Sequence, residues 1–230
     1  MVGNPSTSRT SPPPYSGIGE TKSPRSTKTP SNYVTIVREK GPIKAEFNID
    51  PTLTVHESLL PGLFGEETSS NRNNLSVKAL SGEIDIDVHL QASVNRSEEP
   101  EVKINVQSLK GDVTIRLYAP MSGDLRCRCN LIVAANKGSI FLLLPESYAG
   151  LINVTAKGQM IVSDGLSSYL NIQSEAKRTK RCTVGNVLAW RDIEKKKRDE
   201  TIAWADRGRV YLQYNTETFE KPRTRLFKSL

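Results

Sequence analysis

A short pattern recurs along this chain: an alternating apolar run, a basic or small residue, a glycine, and a second alternating run. It reads LSVKAL-SG-EIDIDVHL from Leu75 to Leu90, INVQSL-KG-DVTIRL from Ile104 to Leu117 and LIVAAN-KG-SIFLLL from Leu131 to Leu144, with weaker copies centred on Gly41, Gly158 and Gly208. Strand side chains alternate between faces, so an arm bent at the glycine has a consistent interior only if residues facing each other across the bend are both apolar. With Ser81-Gly82, Lys110-Gly111 and Lys137-Gly138 as two-residue corners, the facing pairs are Ala79/Ile84, Val77/Ile86 and Leu75/Val88; Ser108/Val113, Val106/Ile115 and Ile104/Leu117; and Ala135/Ile140, Val133/Leu142 and Leu131/Leu144. Ser108 alone breaks the rule. The other parity carries Lys78, Glu83, Asp85, Asp87, Lys103, Gln107, Thr114 and Arg116, which are expected in water. Glycine is expected at each corner because a positive φ costs any other residue about 1–2 kcal/mol.

The corner glycines lie 29, 27 and 20 residues apart from Gly82 through Gly111 and Gly138 to Gly158, in the range of stacked repeats whose units cannot bury their apolar faces alone. The fold class is therefore all-β. Two architectures satisfy the parity: a two-sided β-solenoid-like roll, in which equivalent strands of neighbouring arms pair in parallel, and an antiparallel hairpin sandwich. The run SIFLLLP, apolar on both faces, favours the roll.

Residues 1–31 are dense in Pro, Ser and Thr and poor in large apolar side chains, which predicts a disordered tail. The repeat domain is expected over 32–216, with a basic extension over 217–230. No apolar run has the length of a membrane span and none resembles a signal peptide core, so an intracellular, cytoplasmic protein is expected, with nuclear entry open through the basic runs. Cys127 and Cys129 share the parity of Leu131 and Val133 and read as core residues; with Cys182 far away in sequence, no metal or cofactor is expected.

From Ala176 onward there are 15 Lys and Arg against 7 Asp and Glu, so the whole formal excess of +7 sits in the last quarter. Lys177, Arg178, Lys180 and Arg181 form one cluster, expected as an exposed turn, and Lys195, Lys196, Lys197 and Arg198 another, within a stretch from Arg191 to Glu200 that reads as a short helix or a loop. These are candidate anion-binding residues. Nucleic acid is disfavoured as the partner, because no stacking aromatics interleave with the cations. The two histidines, His56 and His89, sit in no nucleophile, Walker or metalloprotease motif, so the chain reads as a non-enzyme. The row Glu83, Asp85, Asp87, His89 could at most hold a divalent cation weakly.

Pro12, Pro13, Pro14 and Tyr15 form a PPxY sequence. Prolines pre-set a polyproline II conformation and the tyrosine supplies an anchor, so a WW-domain protein is the expected partner. Self-association is a further option, because stacked repeats expose strand edges.

The ordered landmarks GPIKAEFNIDPTL, LLPGL, NLSVKALSGEIDIDVHL, LLPESYAG, KRCTVG and the closing W-x-x-x-G-x-V-x-L-x-Y resemble a fungal domain-of-unknown-function family that is similar to bacterial putative-adhesin β-repeat domains. The resemblance covers about Tyr33 to Tyr214 and implies a β-repeat fold with no established activity and no catalytic residues to carry over. The charged stretch Asp192 to Glu200 departs from the pattern, being longer and more basic.

Overall fold

The computed structural model describes residues 28–65, 67–91, 101–120, 126–185 and 198–218. Each copy of the pattern forms a pair of strands: β1 (Val34–Arg38) with β2 (Ile43–Ile49), β3 (Leu75–Ala79) with β4 (Ile84–Leu90), β5 (Glu101–Ser108) with β6 (Val113–Tyr118), β7 (Arg128–Ala135) with β8 (Ile140–Leu144), and β9 (Gly150–Ala156) with β10 (Met160–Val162). Helix α1 (Asp164–Ser167), a hairpin of β11 (Leu170–Ala176) and β12 (Thr179–Val184), and a last pair, β13 (Asp199–Ala205) and β14 (Val210–Tyr214), complete the described elements.

The limbs of an arm do not pair with each other; they part into different sheets. One sheet runs β1-β3-β5-β7-β13-β9-β12-β11 and the other β10-β14-β8-β6-β4-β2. Equivalent limbs of neighbouring arms pair in parallel, and antiparallel pairing among the described strands is confined to β9, β12 and β11. The protein is thus all-β, two sheets of mostly parallel strands facing each other across one core. All eighteen members of the nine facing pairs are buried. Ser108, the polar exception, donates its hydroxyl to the Gly82 carbonyl at 3.2 Å.

Stacking places like over like. Leu75, Ile104, Leu131, Thr201 and Ile152 form one inward row and Val77, Val106, Val133, Ala203 and Val154 the next. Nearest the corners come Ala79, Ser108, Ala135, Ala205 and Ala156, all small. Facing this small row are the larger Ile84, Val113, Ile140, Val210 and Met160, so the two rows fill the narrow end together.

The corners themselves differ from expectation in cause. Gly82 has φ +151°, but Gly111 and Gly138 have no positive φ that would demand glycine. They are glycine because the corners stack backbone on backbone. A Cβ on Gly82 would lie 2.0 Å from the Gly41 carbonyl oxygen, one on Gly111 2.1 Å from that of Gly82, one on Gly138 2.0 Å from that of Gly111, and one on Gly208 2.0 Å from that of Gly138. The column ends at Gly158, whose Cβ would meet the Gly208 oxygen and Arg209 Cγ, each at 2.7 Å.

The same column gives the place of the final arm. Gly208 stacks between Gly138 and Gly158, so β13 enters between β7 and β9, and β14 between β8 and β10. Spatial order therefore departs from chain order. The segment read as a short helix or loop begins β13 at Asp199, while residues 191–197 lie outside the described residues.

Thr114, expected in water, is buried. Its row neighbours are Asp85 and Phe141, and Phe141 stacks on Tyr211 with ring centroids 4.6 Å apart. Phe141 and Leu143 are buried on the second face of β8, as the doubly apolar run indicates.

Gly138→Ala is expected to destabilise by about 1–3 kcal/mol, the range for overpacking a close contact, when measured by urea unfolding. Gly62→Ala, where a Cβ meets nothing within 4 Å, is the control and should change stability by no more than about 0.5 kcal/mol.

Candidate functional site

The carboxylate row on the six-stranded sheet is occupied by the protein itself. Arg116 lies in register with Asp87, and its guanidinium donates to Asp85 at 2.7 Å and Asp87 at 3.0 Å. Burial works against the arginine's charge, yet the hydrogen bonds and attraction of the two aspartates outweigh it and its pKa rises. His89 is buried, stacked on Tyr118 with centroids 4.5 Å apart, and its Nε2 lies 3.4 Å from Glu46. Among the described residues no group of three His, Cys, Asp or Glu could hold a metal ion. His56 caps the short 3-10 turn Glu57–Leu59, its Nδ1 accepting from the Ser58 amide.

A buried polar cluster sits at the opposite end of the arms from the glycine corners. The Asp199 carboxylate, at the start of β13, pairs with Arg126 and accepts from the backbone amides of Cys129 and Ala149, both at 3.0 Å. Gly150 lets the chain come this close, since a Cβ there would lie 2.1 Å from the Asp199 carbonyl oxygen. Tyr148 donates to the Leu151 carbonyl at 3.1 Å and shares a hydrogen bond with Thr201 at 2.8 Å. Burial, reinforced by Asp199, pushes both the Tyr148 hydroxyl and the Cys129 thiol toward the neutral form. Cys127 and Cys129 are buried, as their parity indicates. The cluster ties β13 to its two neighbours. Nothing in the repeat pattern singles out Asp199; the signal was its parity with Thr201, Ala203 and Ala205, hidden by the surrounding charges.

The basic residues divide. Lys177, with φ +49°, and Arg178 form the turn of the β11–β12 hairpin, whereas Lys180 and Arg181, expected in the same turn, belong to β12. Lys180 is in register with the inward Val154, and Arg181 with Asn153 on the outer face. Lys177, Arg178 and Lys180 line a cavity of about 400 Å³ with Lys157, Gly158, Gln159, Met160 and Glu175. Lys157, on the β9–β10 corner, is a cation that sequence reasoning passed over. Glu175 binds Lys180 at 3.0 Å. Arg198 is half-buried beside Asp199 and Lys195 to Lys197 lie outside the described residues, as do Pro12 to Tyr15.

A third surface is apolar. On the outer face of the eight-stranded sheet, Ile132 and Ile202 stand in register with 38% and 40% exposure, and Trp204, two residues along β13, is 58% exposed. Thr155 and Thr179, hydrogen-bonded to each other at 3.1 Å, continue the tryptophan's row.

Residues 32–217 match the family described as Domain of unknown function (DUF7330). The chain belongs to this family. No curated protein and no solved structure matches it. Among the described residues, no helix of this family member is long and apolar enough to cross a membrane.

Asp199→Asn, which leaves Arg126 without its carboxylate, should cost about 3–5 kcal/mol in urea unfolding. Alkaline stability gives a second check. Burial, with Tyr169, Glu146 and Glu217 adding, pushes the Tyr214 hydroxyl up to about 12. The unfolded tyrosine loses its proton near pH 10 while the folded one keeps it, so this contribution is intact below about pH 10 and is lost as pH rises toward 12. Tyr214→Phe should make the fall in stability over that window shallower.

Proposed function

We propose that the domain is a two-sided β-solenoid-like roll that acts as a non-catalytic interaction module, with its N-terminal segment recruiting WW-domain proteins through Pro12, Pro13, Pro14 and Tyr15. The observation that supports this most is the exposed strip of Ile132, Ile202 and Trp204 on the outer face of the eight-stranded sheet. A large aromatic held in water on a rigid strand is the usual anchor of a protein interface. Asp85 and Asp87 are engaged with Arg116, and His89 with Tyr118 and Glu46, which supports a non-catalytic reading.

Affinity capture from the source cell, comparing the full chain, the chain lacking residues 1–31 and Trp204→Ala, tests the reading. Each variant should lose its own subset of partners; a partner set unchanged in both would refute it. Tyr15→Ala is expected to abolish capture by isolated WW domains with no change in Tm.

A second reading, binding of anionic polymers, is favoured by the convergence of Lys157, Lys177, Arg178 and Lys180 on one cavity. If four cations met phosphates or sulfates, log K should fall with log salt with a slope near about −3.6, at roughly 0.9 per contact.

A further inference from the structure

The two sheets are unequal, and the difference is concentrated at one place. Six described strands of one sheet face six of the other, which leaves β12 and β11 projecting past β10 with no described strand opposite. Helix α1 fills part of the space beneath them through the buried Leu166. The remainder, toward the glycine corners, is the cavity of about 400 Å³ between β10 and the hairpin.

The edge of β10 that borders this cavity has backbone groups to offer. Gln159 accepts from the Val210 amide and Ser163 donates to the Leu212 carbonyl, so residues 159, 161 and 163 face β14. By the alternation of a parallel ladder, the amides and carbonyls of Met160 and Val162 point the other way, and no described residue pairs with them. Above this edge the cavity wall is formed by Val154 and Ala156 of β9 and by the ion-paired Lys180 and Glu175 on the inward side of the hairpin. Lys157, Lys177 and Arg178 stand around the mouth, with no anionic partner among the described residues.

We propose that this is a strand-docking site: an extended acidic peptide adds beside β10 as a seventh strand of the smaller sheet, beneath the β11–β12 hairpin. Its backbone bonds to Met160 and Val162, its apolar side chains meet the cavity wall at Val154 and Ala156, and its carboxylates meet Lys157, Lys177 and Arg178. Main-chain pairing at a sheet edge supplies affinity and the flanking side chains supply selection. Charge selects an acidic occupant. The chain's own last twelve residues, 219–230, hold four Lys and Arg against one Glu and would be repelled. An anionic polymer would satisfy the cations but leave the β10 edge unused, so the edge favours a peptide. The proposal rests on the interaction-module reading and names one class of partner for it.

Fluorescence anisotropy with the full chain and a short labelled peptide alternating glutamate and valine tests the site. The peptide should bind, and Lys157→Glu with Lys177→Glu should weaken it by at least about tenfold. Methylation of alternate peptide amide nitrogens should abolish binding, and the peptide should slow hydrogen exchange at Met160 and Val162. Absence of binding, equal binding of the N-methylated peptide, or unchanged exchange at Met160 and Val162 would overturn the site, the last two assigning the cations to polyanions in general. Loss of the peptide site with retention of Trp204-dependent partners leaves the interaction-module reading standing.

Discussion

The structure depends on how closely its corners approach. Six glycines stack so that each of the inner ones has the preceding backbone carbonyl where a side chain would begin, at 2.0–2.1 Å for four of them. That contact brings successive arms to strand-pairing distance at the point where the chain reverses, and keeps both limbs in register as they diverge into separate sheets. Hydrophobic burial then follows from the register, because equal parity on every arm places every apolar row over the next. The small residues beside the corners and the larger ones facing them are consequences of the same convergence.

Much of this was legible in the sequence, because a period-two pattern folded at a glycine leaves few choices. The inward residues of the three strong arms, the buried cysteines and the doubly buried β8 all follow from parity. The reason for Gly111 and Gly138 did not follow, since close approach is a property of neighbours that local sequence does not record. Thr114 was misplaced for a similar reason: its burial comes from row neighbours on other arms. The place of the last arm was hidden too. The sequence shows that β13 and β14 form an arm, but not that Gly208 enters the column between Gly138 and Gly158, for chain order is a poor guide once a connection is long enough to return.

The candidate sites divide along the same line. The hairpin cations were visible as a cluster, yet Lys157 joins them only through the fold, and the cavity exists only because one sheet is two strands wider than the other. Likewise Ile132 comes from one arm and Ile202 and Trp204 from another, and they meet as a strip because β13 lies beside β7. Insertion of the last arm thus builds both the apolar face and, by placing β9 and β10 at the border, the open edge. Family membership adds the extent of the domain and leaves its activity to be read from these surfaces.

That order of stacking can be read directly by cysteine cross-linking with peptide mapping. Ile132 and Ile202 are partners on adjacent strands, whereas Ile132 and Asn153 are separated by β13. Paired cysteines at 132 and 202 should form a disulfide, and cysteines at 132 and 153, two strand spacings of about 4.8 Å apart, lie beyond the roughly 7 Å reach of a disulfide and should not. Efficient cross-linking of 132 to 153 with none between 132 and 202 would show instead that the arms stack in chain order.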